Sequence, residues 1–261
     1  MERSWPCGAY NLQVRALETA LLALLVSLGA ERVSAAAQRP VPPRLARAQR
    51  GKVPRITELL GQQRLGFPPH RVFIRIFKRD QQLELWAAGK TGPFRRLASY
   101  RICAASGGLG PKRRAGDLQV PEGVYHVTAL NPWSAYHLSL GINYPNASDR
   151  VLGRRGSLGG AIMIHGDCVS IGCVAIRNDQ IEEVFVAAEA AHRSGQRRIP
   201  VHIFPTRLDA AGRAFLAARY ASEPKRLAFW SQLAPIYDHF ERLRLLPDVR
   251  IDAKGRYGIV R

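Results

Sequence analysis

The sequence is short of acid, of cysteine and of long apolar runs, and each shortage removes a class of protein. Twenty Asp and Glu stand against 39 Lys and Arg, for a formal charge of +19 and a pI near 10.8. Such a chain is drawn to polyanions, whether nucleic acid, anionic lipid or an acidic wall polymer. Four cysteines in 261 residues are too few for a disulfide-built scaffold. A core must therefore come from the 46% of residues that are apolar, which is enough for a sizeable one. The principal apolar run, Thr19–Ala30, is too short to span a bilayer comfortably. There is no G-x-x-x-x-G-K-[ST] phosphate loop, no internal repeat, and no second Cys or His pair at zinc-ligand spacing.

What is there begins with an export signal. Arg3 and Arg15 precede the apolar run, and "VSAAAQ" follows it with small residues spaced for a peptidase. Residues 1–36 are read as a signal peptide cleaved after Ala36 or Ala37, the competing reading being a retained N-terminal anchor. Residues 1–36 hold Glu2, Glu18 and Glu31 against Arg3, Arg15 and Arg32, so the whole +19 stays with the exported chain. Export argues against a nucleic-acid partner, and no aromatic–basic recognition motif is present. Cys7 leaves with the signal, and Cys103, Cys168 and Cys173 remain. An odd number in an oxidising compartment leaves at least one free thiol.

Residues 37–70 are rich in Pro and Arg and read as a linker or arm, with a short helical stretch around Ile56–Leu60. Strand patterns begin at Val72–Ala88, where two β-rich runs flank "KRDQQ" as a hairpin, and continue through Cys103. "GGLGPKRRAGD", Gly107–Asp117, reads as a mobile basic loop beside a cleft. Further strands are expected around Val120–Leu130, at "GGAIMIHG", at "GCVAI" and at Ile199–Pro205. A helix is expected after Asn178, with Ile181, Val184, Phe185 and Ala188 inward and Gly195 as its stop. Beyond Thr206 the pattern is helical. The expectation is a mostly β catalytic domain over 71–205 with flanking helices and a mainly helical extension over 206–261.

The chemistry concentrates in "IHGDCVSIGCV", Ile164–Val174. His165 ends one strand and Cys173 opens the next. If the strands pair, an imidazole can take the thiol proton and leave a nucleophilic thiolate. Backbone N–H groups around Gly172 and Cys173 are placed for an oxyanion, and Gly172 lets a carbonyl approach closely. Three other readings compete: a zinc ion on His165, Cys168 and Cys173; a tight Cys168–Cys173 disulfide; and inert packed cysteines. Cys103 and Cys168 can also pair, leaving Cys173 free, but connectivity does not follow from sequence. His126 sits in a strand and packs, while His192, His202 and His239 have no motif around them.

"IHG" followed by "SIGC" resembles the signature of the L,D-transpeptidase (YkuD-type) catalytic domain, and "PEGVY", Pro121–Tyr125, is similar to another of its strands, with Val120 where a threonine is usual. The resemblance implies a β-sandwich or barrel core, Cys173 as nucleophile, His165 as base, and Ser170 and Gly172 shaping the turn and oxyanion site. The short loop between the two motifs, and Ala175 where an arginine is usual, are similar to the YafK-like branch. That branch implies cleft-lining Tyr136, His137, Asn143 and Tyr144, of which Tyr136 and His137 are as readily structural. The implied activity is acyl transfer through a thioester on diaminopimelate-containing peptidoglycan stem peptides, in the bacterial envelope, with no metal or organic cofactor and no membrane span after signal cleavage. An amidase of the same site, hydrolysing stem amides or detaching a Braun-type lipoprotein, is the first alternative. A non-enzymatic wall-binding module with a zinc or disulfide clip is the second.

Overall fold

The two β-rich runs of Val72–Ala88 become a hairpin of β1 (Arg71–Phe77) and β2 (Gln82–Ala88), with Ile74 opposite Leu85 and Ile76 opposite Leu83. In the computed structural model, which describes residues 41–154 and 156–260, this hairpin opens an eight-stranded closed barrel. The other strands are β3 (Arg95–Ala105), β4 (Gly123–Asn131), β5 (Ser139–Ile142), β6 (Met163–His165), β7 (Val174–Ile176) and β8 (Pro200–Phe204). Their order around the barrel is β1-β2-β3-β7-β6-β5-β4-β8, closed by β8 on β1. Two neighbour pairs are parallel, β1 with β8 and β6 with β7, and the rest are antiparallel. Ile74, Leu85, Val127, Leu140, Ile164, Val174 and Val201 fill the main core. The expected signal segment, 1–36, lies outside the described residues, none of whose helices is long and apolar enough to cross a membrane.

The expected arm is largely a helix, α1 (Pro43–Gln62), much longer than the stretch anticipated around Ile56. Pro43 suits a first helical turn, where its missing N–H has no partner to lose. Leu45, Ala48, Ile56, Leu59 and Leu60 recur at helical spacing and are buried. Gly51 and the interior Pro54 mask that pattern in the sequence. The short helix α2 (Ala147–Leu152) carries a capping box between Asn146 and Asp149. Helix α3 (Asn178–Arg193) buries Ile181, Val184, Phe185 and Ala188, and Gln49 of α1 donates to its Glu189 at 2.7 Å.

The C-terminal residues form α4 (Ala210–Arg219), α5 (Pro224–Leu243) and a hairpin of β9 (Val249–Ile251) and β10 (Tyr257–Ile259) that helical patterning did not indicate. Helix α5 covers the outer face of the barrel with Phe229, Trp230, Leu233, Ile236, Tyr237 and Phe240. Arg75 is enclosed there with Glu84 and Glu241, 3.6 and 2.8 Å away, and lies over the Phe77, Tyr237 and Phe240 rings. Fully buried Glu122 accepts from Trp230 Nε1 (2.6 Å) and Gly110 N (2.7 Å) and pairs with Lys78 Nζ (3.0 Å). One carboxylate thus ties the extension, the 107–117 loop and the barrel together. That loop is not free, as the glycines suggested: Lys112 is buried, and Asp117 accepts from its Nζ at 2.6 Å and from the Arg113, Arg114 and Gln119 amides.

Candidate active site

The two motif residues bracket the parallel pair: His165 ends β6, and Cys173 immediately precedes β7. Ile164 registers with Val174 and His165 with Ala175. Strand spacing places the Cα atoms of Cys173 and His165 about 8 Å apart. Parallel strands usually need a long crossover. Residues 166–173 suffice here because each strand is only three residues long.

The imidazole is held in one tautomer. His165 Nδ1 lies 2.6 Å from the Gly166 carbonyl, which can only accept, so Nδ1 carries the proton and Nε2 keeps its lone pair. His165 is 2% exposed, and its burial lowers the imidazole pKa below the usual value, so it is neutral at pH 7. Tyr136 roofs it, ring centroids 4.8 Å apart. Arg44 of α1 donates to the Ser134 and His137 carbonyls at 2.7 and 2.8 Å, which fixes the Tyr136 loop from outside the barrel.

Cys173 is the free cysteine of the described residues, and its thiol lies 3.8 Å from Ala161 O. Burial pushes the thiol above its usual pKa, opposed by the Met163 N–H and the positive charge of Lys112. Both shifts favour the neutral forms, a protonated thiol and an unprotonated imidazole. Cys103 and Cys168 are joined by a disulfide with Cα atoms 5.3 Å apart. Cys168 is thus turned toward β3 and away from His165 and Cys173, so these three do not converge as zinc ligands.

The connecting loop is pinned at several points. Asp167 and Cys168 have φ of 60° and 38°. Asn178 Oδ1 accepts from the Asp167 amide and its Nδ2 donates to the Asp167 carboxylate, both at 2.8 Å. A Cβ on Gly166 would strike Asn178 Oδ1 and come within 2.9 Å of His137 Cβ. Ser170 Oγ donates to Cys173 O at 2.7 Å and accepts from the Gly172 amide at 3.2 Å and the Ser106 amide at 3.3 Å. The Gly172 N–H is thereby spent on the turn and is not available to an oxyanion. Gly172 itself adopts φ 132°, with Gln119 O 3.3 Å from where its Cβ would stand.

Of the expected cleft residues, only Tyr136 touches the imidazole. His137 turns to α3, its Nε2 2.9 Å from Glu182. Asn143 Oδ1 accepts from the His126 amide at 2.7 Å, an internal strand tie. Tyr144 is buried and donates to Leu158 O at 3.1 Å, so it offers no free face to a ligand. Arg44 and Gln119 escape motif reading because their contacts, with Ser134 and Gly172, are distant in sequence.

A disulfide-braced loop joining I-H-G on one strand to S-x-G-C on the next is the feature that a family model can test. The model for the L,D-transpeptidase catalytic domain (YkuD) matches residues 71–203. The chain belongs to that family. YafK of Escherichia coli (strain K12), named only provisionally as an L,D-transpeptidase, is 43% identical over 201 residues, covering 76% of each chain. Among solved structures, the helical cell-shape determining protein Pgp2 of Campylobacter jejuni aligns at 21% identity and a TM-score of 0.42, over 70% of this chain and 73% of that one. Bd1075 of Bdellovibrio bacteriovorus aligns at 24% identity and 0.36, over 66% and 63%. The family's mostly β domain corresponds here to the closed eight-stranded sheet.

Proposed function

We propose that the chain is an exported, cysteine-dependent acyl transferase acting on peptidoglycan stem peptides, with Cys173 as nucleophile and His165 as its base. The observation that supports this best is the imidazole tautomer: Nδ1 is bound to the Gly166 carbonyl, so Nε2 is free to accept a proton, and Cys173 stands eight residues on at the start of the paired strand. In the first half-reaction Nε2 takes the Sγ proton and sulfur bonds to the amide carbonyl carbon. The carbonyl electron pair moves to oxygen, near the Cys173 backbone amide. Collapse breaks the C–N bond, and the imidazolium returns its proton to the departing amine. The thioester is then resolved by an incoming amine, which makes a new amide and restores the thiol. Water in place of the amine gives hydrolysis by identical residues, with stem fragments or a wall-bound lipoprotein as the released product.

The test is mass spectrometry of lipoprotein-bearing sacculi incubated with residues 37–261, with Cys173→Ala and with His165→Ala. New cross-linked dimers or newly attached protein, absent with both variants, support transfer. Cys173-dependent release without new amides assigns hydrolysis instead. A wall unchanged by the wild type rejects both.

A further inference from the structure

The C-terminal extension does more than cover the barrel. Between the 110–119 loop, α2, the start of α5 and the β9–β10 turn lies an open groove of about 810 Å³. Pro111, Leu152 and Phe229 give it an apolar lining, and its rim carries Arg113, Lys225, Arg226, Lys254 and Arg256 against a single carboxylate, Glu223. Arg113, Arg226 and Arg256 have ion-pair partners in Asp149, Glu223 and Asp252. Lys225 and Lys254 are exposed and have no ion-pair partner among the described residues. Helix α5 starts at this groove with no side-chain cap and no acid in its first turn, so its positive end adds to the same field.

Through Gln119 the groove reaches the segment that carries Cys173. Gln119 lines it, and the Gln119 carbonyl is the atom that packs against Gly172, the residue before Cys173. A ligand that places an amide carbonyl at Cys173 and continues past Gln119 enters a basic, partly apolar channel. We infer that this groove binds the carboxylate-bearing peptide portion of the substrate, so that the C-terminal extension is a specificity element of the enzyme. The inference rests on the acyl-transfer reading for its choice of ligand. The acyl-transfer reading supplies a chain carrying an amide, the rim charge favours anions, and arginine forks suit carboxylates. A phosphate polymer meets the charge requirement but supplies neither the amide nor a group for the apolar lining.

The experiment is equilibrium binding to residues 37–261 carrying Cys173→Ala, which prevents turnover. The probes are a fluorescent L-Ala-γ-D-Glu-diaminopimelate-D-Ala peptide, the same peptide with its carboxylates amidated, and inorganic polyphosphate. Lys225→Glu/Lys254→Glu reverses the two unpaired rim charges at exposed positions, and its melting temperature checks the fold. Expected is about a tenfold weaker binding of the acid peptide, with the amidated peptide changed little. Equal binding of both peptides to both proteins overturns the inference. Polyphosphate that outcompetes the acid peptide overturns it in favour of a phosphate ligand. Groove variants that leave binding intact while Cys173-dependent wall products persist refute the groove alone. Intact, charge-dependent binding without such products refutes the thiol chemistry alone.

Discussion

Removing the Cys103–Cys168 disulfide tests the architecture of the site most directly. The bond closes a loop with a sequence separation of 65, and chain-closure entropy for a loop of that size stabilises the fold by about 4 kcal/mol. In a domain of this size each kcal/mol moves the melting temperature by about 2–4 °C, so Cys103→Ser/Cys168→Ser should melt about 8–16 °C below wild type. Both sulfurs lie at exposed residues, so serine introduces no buried polar group and a reductant reaches the bond in the folded state. There is a second, local effect. Asp167 and Cys168 occupy left-handed backbone at roughly 1 kcal/mol each, and the disulfide is one of the restraints that keeps them there. Once released, the loop relaxes and the approach of Cys173 to His165 loosens, so iodoacetamide should modify Cys173 more slowly. The assay is calorimetric melting of residues 37–261 with and without reductant, paired with thiol titration and alkylation rates. Wild type should lose the same stability on reduction that the double variant lacks from the start. A melting temperature indifferent to reductant, or three titratable thiols in the unreduced folded protein, would refute the reasoning.

Other perturbations have equally definite outcomes. Gly166→Ala should cost about 1–3 kcal/mol, because its Cβ meets Asn178 Oδ1 and the His137 Cβ and breaks the Asp167–Asn178 brace; chemical denaturation and Cys173 alkylation should both register it. Lys112→Met should cost about 3 kcal/mol by stranding Asp117, and the pH midpoint of Cys173 alkylation should move upward, since the lysine charge favours thiolate; an unmoved midpoint would confine Lys112 to the fold. Two buried groups pull acid stability in opposite directions. Burial and neighbouring Arg75 push His202 down to about 3, so the stability its neutral form contributes is lost as pH falls from 6.5 toward 3, at about 1.4 kcal/mol per unit. Burial raises Asp149 to about 6, so its protonated form stabilises at low pH and that contribution is lost as pH rises through 6. The two nearly cancel between pH 4 and 6, and Asp149→Asn should therefore become steeply acid-sensitive in that window by urea melts.

The parts of the fold that were legible in the sequence are those set by local pattern. Two β-rich runs flanking a polar turn marked the β1–β2 hairpin, and the spacing of Ile181, Val184, Phe185 and Ala188 marked α3. The hidden parts depend on distant contacts or on punctuation that misleads. Gly51 and Pro54 obscured α1, whose apolar stripe is stabilised by packing on α3 rather than by propensity. The β9 and β10 strands are three residues each, too short for period-two alternation to stand out. In the site, His165 and Cys173 stood out because the motif is compact. Nothing local distinguishes Lys112 from the neighbouring Arg113 and Arg114, yet only Lys112 of the three is buried. The turn-rich stretch around Asn143 and Tyr144 looks exposed in sequence, and here both side chains bind strand and loop backbone.

The parallel pairing of β6 and β7 explains why so much restraint converges on eight connecting residues. In an antiparallel hairpin, cross-strand hydrogen bonds alone would bring the end of one strand to the start of the next. In the parallel pair the chain leaves His165 at one end of the sheet and must return along the strand before Cys173 can enter at the other. Strand pairing fixes the two backbones but not the course of the loop. That course is held by the disulfide, the Asn178 brace, the glycine at 166 and the Ser170 hydroxyl, each tying the loop to a different element. The loop between His165 and Cys173 can be this short only because it is fastened at nearly every turn. Loosening any one fastening should therefore slow Cys173 before it unfolds the barrel.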